Sequence, residues 1–391
     1  MSVFEVFWVF LRLGLTSFGG PVAHIGYFRD EFVHRRQWFT EAAYADLVAL
    51  CQFLPGPASS QVGIGIGLSR AGLAGAVAAW VGFTLPSALA LGLFGFGVAI
   101  AGEVEDGWLR GLKAVAVAVV AQALWGMAKS LCPDRTRAAM AVAAAVLVLM
   151  VPTSLGQITA IVAAGALGWL FVKSEDTGDH HPLAAAVDKP LAVAAVALFF
   201  ALLFGLAPLA AELSSPLLAR IDGFYRAGSL VFGGGHVVLP LLQATVVEPG
   251  WVGEGTFLAG YGAAQAVPGP LFTFAAYLGA VMESPLGPGA SALVCILAIF
   301  APSFLLVVGA LPFWDGLRGM ASMRGAMAGV NAAVVGLLAA AFYDPVWTSG
   351  VKNAGDFALV LAAGVLLVSW KLPPWLVVAL AAGAGYGIGL I

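Results

Sequence analysis

The chain has 391 residues, of which 61% are hydrophobic and only 10% charged, with a mean hydropathy of +0.97. A soluble domain carries about 25% charged residues, so this composition excludes one, and a net charge of −3 makes no case for nucleic acid as a partner. Apolar runs of about 20 residues recur, the length of a helix crossing the hydrocarbon, without the ten-residue alternation of a β-barrel. Residues 4–18 are the first run, carrying Arg12 and ending at Ser17-Phe18-Gly19-Gly20-Pro21, with His24 beyond. No basic start or cleavage site precedes it, so no cleavable signal peptide is expected. The charged run Arg29 to Arg36 reads as a linker. Segments follow at 43–69 (broken at Pro55-Gly56-Pro57), 72–101 (with Pro86), 111–130, and a tight pair at 138–151 and 155–172. The polar stretch 173–189, with His180 and His181, reads as a linker between halves. An extra span at 190–211 precedes segments at 217–240, 256–280, 288–312, 324–343, 356–371 and 373–391.

The second half repeats the first. Gln52-Phe53-Leu54-Pro55-Gly56-Pro57 returns 213 residues later as Gln265-Ala266-Val267-Pro268-Gly269-Pro270. Arg12-Leu13-Gly14 returns as Arg226-Ala227-Gly228, and Phe18-Gly19-Gly20-Pro21 as Phe232-Gly233-Gly234-Gly235. Trp38 and Glu41 return as Trp251 and Glu254, Pro86-Ser87 as Pro302-Ser303, and Arg110-Gly111 as Arg324-Gly325. Ordered anchors at a nearly fixed shift make an internal repeat. The expected fold is an all-α polytopic membrane protein of about 13 hydrophobic segments, some broken or re-entrant. Its divisions are a first repeat at 1–172, the linker, the extra span, and a second repeat at 212–391. Seven spans precede the second repeat, so it enters from the opposite side and the repeat is inverted. Loop charge agrees: 29–38 holds Arg29, Arg35 and Arg36, whereas 243–254 holds Glu248 and Glu254 without lysine or arginine, and positive charge favours the cytoplasm.

The two Pro-Gly-Pro breaks carry the functional argument. A broken helix in a bilayer is tolerated where it lines a cavity or packs inside protein, and matching breaks in two halves point to a transporter's binding site. Helices restarting after Pro55-Gly56-Pro57 and Pro268-Gly269-Pro270 offer free N–H groups and a positive dipole end. Gly19, Gly20, Gly233 and Gly234 let bare backbone approach a ligand. Gln52, Gln265, Ser59 and Ser60 add side-chain donors, as do His24 and His236. Arg12 and Arg226 place a planar guanidinium, suited to a tetrahedral oxyanion, inside apolar segments. Together these residues describe a small-anion site. Plainer readings exist for each: Arg12 can snorkel, the glycines can serve helix packing, the breaks can be hinges, and the serines can bond back to their own helix. His24 and His236 do not align in the repeat, and Asp46 is a proton site or a helix-end charge.

Enzyme chemistry finds no footing. Gly63-Ile64-Gly65-Ile66-Gly67 follows a proline break rather than a strand, so it is no dinucleotide fingerprint. Walker motifs, paired carboxylates and metal-ligand spacings are missing, and Cys51, Cys132 and Cys295 form no framework. No cofactor or metal is expected, and transport would draw on an ion or proton gradient.

The stretches Phe18 to Phe28, Gln52 to Gln61, Gly82-Phe83-Thr84-Leu85-Pro86-Ser87, Phe232 to His236 and Gln265 to Pro270 resemble the chromate ion transporter family, in its long form with both halves in one chain. The resemblance implies an inner-membrane protein of bacteria, a monomer or homodimer in the lipid bilayer, that exports chromate and confers chromate resistance. It implies gradient-driven transport for which sulfate competes. The second half departs from the first at Gly235, where the first has Pro21, and at Ala266-Val267, where it has Phe53-Leu54. The residues alone support a small-oxyanion transporter; chromate comes from the resemblance, and a sulfate or other oxyanion permease remains open.

Overall fold

The computed structural model describes residues 2–101, 106–151, 153–172, 187–232, 235–314 and 320–389, which contain helices and no strand. Helix α1 (Val3–Thr16) starts where the Ser2 side chain accepts from the Glu5 N–H, and α2 (Gly20–Arg29) restarts past a left-handed Gly19 with Pro21 in its first turn. The charged run read as a linker is helical instead: α2 continues into a π-helical turn, Asp30–Arg35. Glu31 makes this possible by accepting from Arg35 Nη2 at 2.9 Å and Arg36 Nε at 2.7 Å, which neutralises the run locally.

Helix α3 (Glu41–Phe53) ends at the first Pro-Gly-Pro, and α4 (Ala58–Ala101) begins after it. Non-helical backbone at Ala71 and Gly72 kinks α4 into two pieces. Then come α5 (Asp106–Leu131), the hairpin α6 (Arg135–Met150) and α7 (Ser154–Phe171), and α8 (Lys189–Glu212), which contains the extra span. Most of the 173–189 linker, including His180 and His181, lies outside the described residues. The second half supplies α9 (Pro216–Leu230), α10 (Val238–Val246), α11 (Glu254–Ala264), α12 (Phe274–Val281), α13 (Gly287–Ala310), α14 (Ala321–Ala341), α15 (Ala354–Val368) and α16 (Pro374–Gly389). The expected segment 217–240 is therefore two helices. The glycine-rich stretch between them has poor helix propensity, and the backbone at Val231 and Phe232 is non-helical.

The halves are interlaced. α1 packs on α4, and its counterpart α9 packs on α13. Both contacts close over a glycine: a Cβ on Gly14 would lie 2.7 Å from the Phe83 carbonyl oxygen, and one on Gly228 would strike that of Ile299. The later helices cross over, α5 of the first half packing against α15 and α16 of the second while α14 of the second packs against α6 and α7 of the first. Neither half therefore forms its core alone.

Five helices of the described residues are long and apolar enough to cross a membrane, within α4, α5, α8, α13 and the stretch from α14 to Gly350. Large apolar side chains point outward from them and from the α6–α7 hairpin, among them Leu89 and Leu93 on α4, Trp169 and Leu170 on α7, and Phe200 and Phe204 on α8. Such surfaces suit hydrocarbon, and the chain is an all-α, multi-pass membrane protein.

Candidate functional site

Each Pro-Gly-Pro break is pinned by a backbone hydrogen bond to the opposite half. Gly56 N–H donates to the Val231 carbonyl at 2.6 Å, and Gly269 N–H donates to the Ser17 carbonyl at 2.9 Å. Ser17 and Val231 are the C-caps of α1 and α9, the equivalent first helices of the two halves. One contact is thus made twice, with the halves exchanged, as a two-fold relation requires. The same exchange appears in the side chains. A Cβ on Gly56 would lie 3.0 Å from Ser303 Oγ, and one on Gly269 would lie 2.8 Å from Ser87 Oγ. Both glycines have positive φ, +125° and +99°, a conformation in which L side chains are disfavoured.

The pseudo-axis passes between Pro21 and Gly235, equivalent residues that meet each other. A Cβ on Gly235 would lie 3.2 Å from Pro21 Cγ. This gives a steric reason for the departure from symmetry noted in the sequence. Two pyrrolidine rings would compete for one space at the axis, and glycine on one side resolves it.

Around the first break the polar groups are buried. His24 Nε2 lies 3.2 Å from the Ser17 carbonyl oxygen, and Nδ1 lies 3.3 Å from Ser59 Oγ. A carbonyl only accepts, so Nε2 carries the hydrogen and, in the neutral ring, Nδ1 accepts from the serine. The Ser17 carbonyl therefore receives two donors, His24 and Gly269. Gln61 Nε2 donates to the Pro55 carbonyl at 2.6 Å, bracing the break from within. Ser17 Oγ, Ser60 Oγ, Gln61 Oε1, Thr84 Oγ1 and Ser303 Oγ are buried without a hydrogen-bond partner. Orphaned groups of this kind cost about 1–3 kcal/mol each, and an ordered water or a polar guest would satisfy them.

The second break opens onto a cavity of about 410 Å³. Gly19, Gly20 and Gly269 line it, together with the polar residues His236, Gln265, Gln122 and Lys371, of which Gln122 and Lys371 are exposed. All three glycines have positive φ. His236 Nδ1 is 2.7 Å from the Tyr261 hydroxyl, and Gln265 Nε2 donates to the Tyr261 carbonyl at 3.3 Å. With the Gly269 N–H taken by the Ser17 carbonyl, the groups left for a guest are the backbone of Gly19 and Gly20, the Gln122 and Gln265 amides, the His236 imidazole and the Lys371 ammonium, a set that suits a small anion rather than a cation.

The residues singled out in the sequence divide accordingly. Gly19, Gly20, His236, Gln265 and Gly269 line the cavity. Pro55, Gly56, Pro57, His24, Ser59 and Ser60 form or adjoin the first break, and Pro268 and Pro270 flank the glycine of the second. Gln52 is exposed at the end of α3 and does not line this cavity, unlike its twin Gln265. Neither arginine lines it. Arg12 is exposed on α1, and Arg226 pairs with Asp222 at 2.9 Å on α9. Gly233 and Gly234 lie outside the described residues. Sequence reasoning missed Gln122 and Lys371, which no motif marks. It met Ser87 and Ser303 as repeat anchors without seeing that each faces the opposite half's break.

Comparison with known proteins bears on the same residues. A family model described as Chromate transporter matches twice, over residues 4–169 and 218–386. A chromate transport protein of Pseudomonas aeruginosa is 28% identical over 380 residues, covering 95% of this chain and 88% of the relative. One of Cupriavidus metallidurans is 27% identical, covering 96% and 90%. An uncharacterized transporter of Methanocaldococcus jannaschii is 25% identical, covering 87% and 83%. No solved structure matches the chain.

Proposed function

The chain belongs to the chromate transporter family, and from that premise we propose that it is a secondary transporter exporting chromate from the cytoplasm across the bacterial inner membrane, driven by an electrochemical gradient and conferring chromate resistance. The observation that carries the reading is the reciprocal pinning of the two breaks, with the second opening onto a cavity of backbone and amide donors. Broken helices crossing near a pseudo-two-fold axis are the setting in which transporters bind small ions and alternate access. Under this reading the substrate-binding residues are Gly19, Gly20, His236, Gln265 and Gly269, and the buried groups about Gly56 form the same site's opposite face. The ligand is taken up without covalent chemistry, so the protein is a carrier and not an enzyme.

A second reading, a permease for sulfate or another small oxyanion, draws on the same donors. Backbone N–H and amide groups recognise a tetrahedral dianion without regard to its central atom. One experiment separates the two: radiolabelled chromate uptake into inside-out vesicles, with and without a proton gradient and with excess sulfate. Gradient-dependent uptake is the expected result. Uptake no greater than in vesicles lacking the protein, with insertion verified, refutes chromate export; sulfate uptake in its place would establish the second reading.

A further inference from the structure

We propose that Lys371 is the cation through which the cavity draws in and holds its oxyanion, a substrate-binding role that deepens the reading above and rests on it. Three observations converge on this residue. First, Lys371 lines the cavity, whose lining includes no carboxylate, and no described carboxylate lies within ion-pair distance of it. Among the described residues, its charge therefore has no carboxylate partner.

Second, its backbone is held in a conformation that lysine does not favour. α15 closes with Trp370 N–H donating to the Val365 carbonyl at 3.1 Å and Leu372 N–H to the Leu366 carbonyl at 3.0 Å. That closure puts Lys371 at φ +53°. Glycine is the usual residue at such a helix end, and a side chain there is disfavoured. A lysine stands at this glycine position, as Gln37 and Ser214 do at theirs, with Pro373 and Pro374 stiffening the exit, and of the three residues Lys371 alone lines this cavity.

Third, the first half has no counterpart. Its equivalent turn, Met150-Val151-Pro152-Thr153, carries no cation. The charge and the open cavity occur together in this structure. An ammonium is a compact charge with three rotatable donors. It can follow a tetrahedral oxyanion in any orientation and release it, whereas a rigid two-pronged clamp would favour one pose.

The test compares Lys371→Gly, Lys371→Gln and Lys371→Arg with the wild-type protein in vesicles, measuring initial chromate uptake against concentration and ionic strength. Lys371→Gly relieves the backbone, so it folds at least as well as wild type, and its failure cannot be ascribed to misfolding. Loss of one charge-assisted contact predicts a KM raised by about tenfold or more in the Gly and Gln variants, and for Arg a near-normal KM with slower turnover, because its fixed fork keeps the charge but releases the ion less readily. Uptake by those two variants should also lose part of its salt dependence. A wild-type KM and salt dependence in Lys371→Gly overturns the role of Lys371 and leaves the transport reading intact; a lysine serving only the membrane interface would give that result. Equilibrium binding of radiolabelled chromate and sulfate to the purified proteins completes the test. Wild-type protein that binds neither ion overturns both readings, whereas sulfate binding weakened in Lys371→Gly upholds Lys371 even if chromate transport fails.

Discussion

Replacing Gly269 with alanine tests the crossing of the two breaks directly. The new Cβ would lie 2.8 Å from Ser87 Oγ and 3.2 Å from the Phe83 carbonyl oxygen, on a residue with φ +99°. The left-handed backbone costs about 1–2 kcal/mol for a residue with a Cβ. Overpacking against a buried serine adds about 1–3 kcal/mol. The expected destabilisation is about 2–5 kcal/mol from these two sources. Ser87→Ala separates them. Ser87 Oγ donates to the Thr84 carbonyl at 3.1 Å, so its loss alone costs about 0.5–1.5 kcal/mol. In the double variant the Oγ clash is gone while the backbone strain stays, and a favourable coupling of about 1–2 kcal/mol is expected. Thermal unfolding of the four detergent-purified proteins, read as a double-mutant cycle, measures it. Strict additivity would refute the proposed packing of Gly269 on Ser87. The first break offers a contrast: a Cβ on Gly56 would lie 2.6 Å from Gln61 Nε2 and 3.0 Å from Ser303 Oγ. Gly56→Ala should therefore couple more strongly to Gln61→Ala than to Ser303→Ala.

Four further substitutions probe the remaining structure. Gly235→Leu should crowd Pro21 at the pseudo-axis and destabilise by about 1–3 kcal/mol, with partial rescue by Pro21→Ala; a melting temperature equal to wild type would place the axis elsewhere. Arg12→Lys should transport normally, because Arg12 is exposed and does not line the cavity; abolished uptake by well-inserted protein would restore it as a ligand. Arg226→Ala should weaken the fold rather than KM, since it strands Asp222, and a raised KM at unchanged stability would contradict this. Glu31→Gln should cost about 1.5–3 kcal/mol in thermal stability by weakening two charge-assisted bonds, to Arg35 and Arg36; an unchanged melting temperature would show that the helical run stands without them.

What the sequence determined is chemistry local to a few residues. A single proline is carried inside α4 (Pro86) and α13 (Pro302), but two prolines around a glycine remove two donors and relax the backbone between them, and the structure ends α3 and α11 ahead of Pro55-Gly56-Pro57 and Pro268-Gly269-Pro270. Apolar length fixed the all-α membrane fold, and a nearly constant shift between anchors exposed the repeat. The charged run at 29–36 misled because its compensation is an ion-pair set around Glu31 that depends on helical geometry. Tertiary structure alone decided which groups meet. The interlacing of α5 with α15 and α16 brings Gln122 and Lys371 to one cavity, though about 250 residues of chain separate them and no local pattern links them. It also decided between symmetric twins: Gln265 lines the cavity and Gln52 is exposed, and the two equivalent arginines fall on helix faces away from it. A repeat predicts that two residues occupy matching places in their own halves; only the packing of one half against the other determines which of the two faces the cavity.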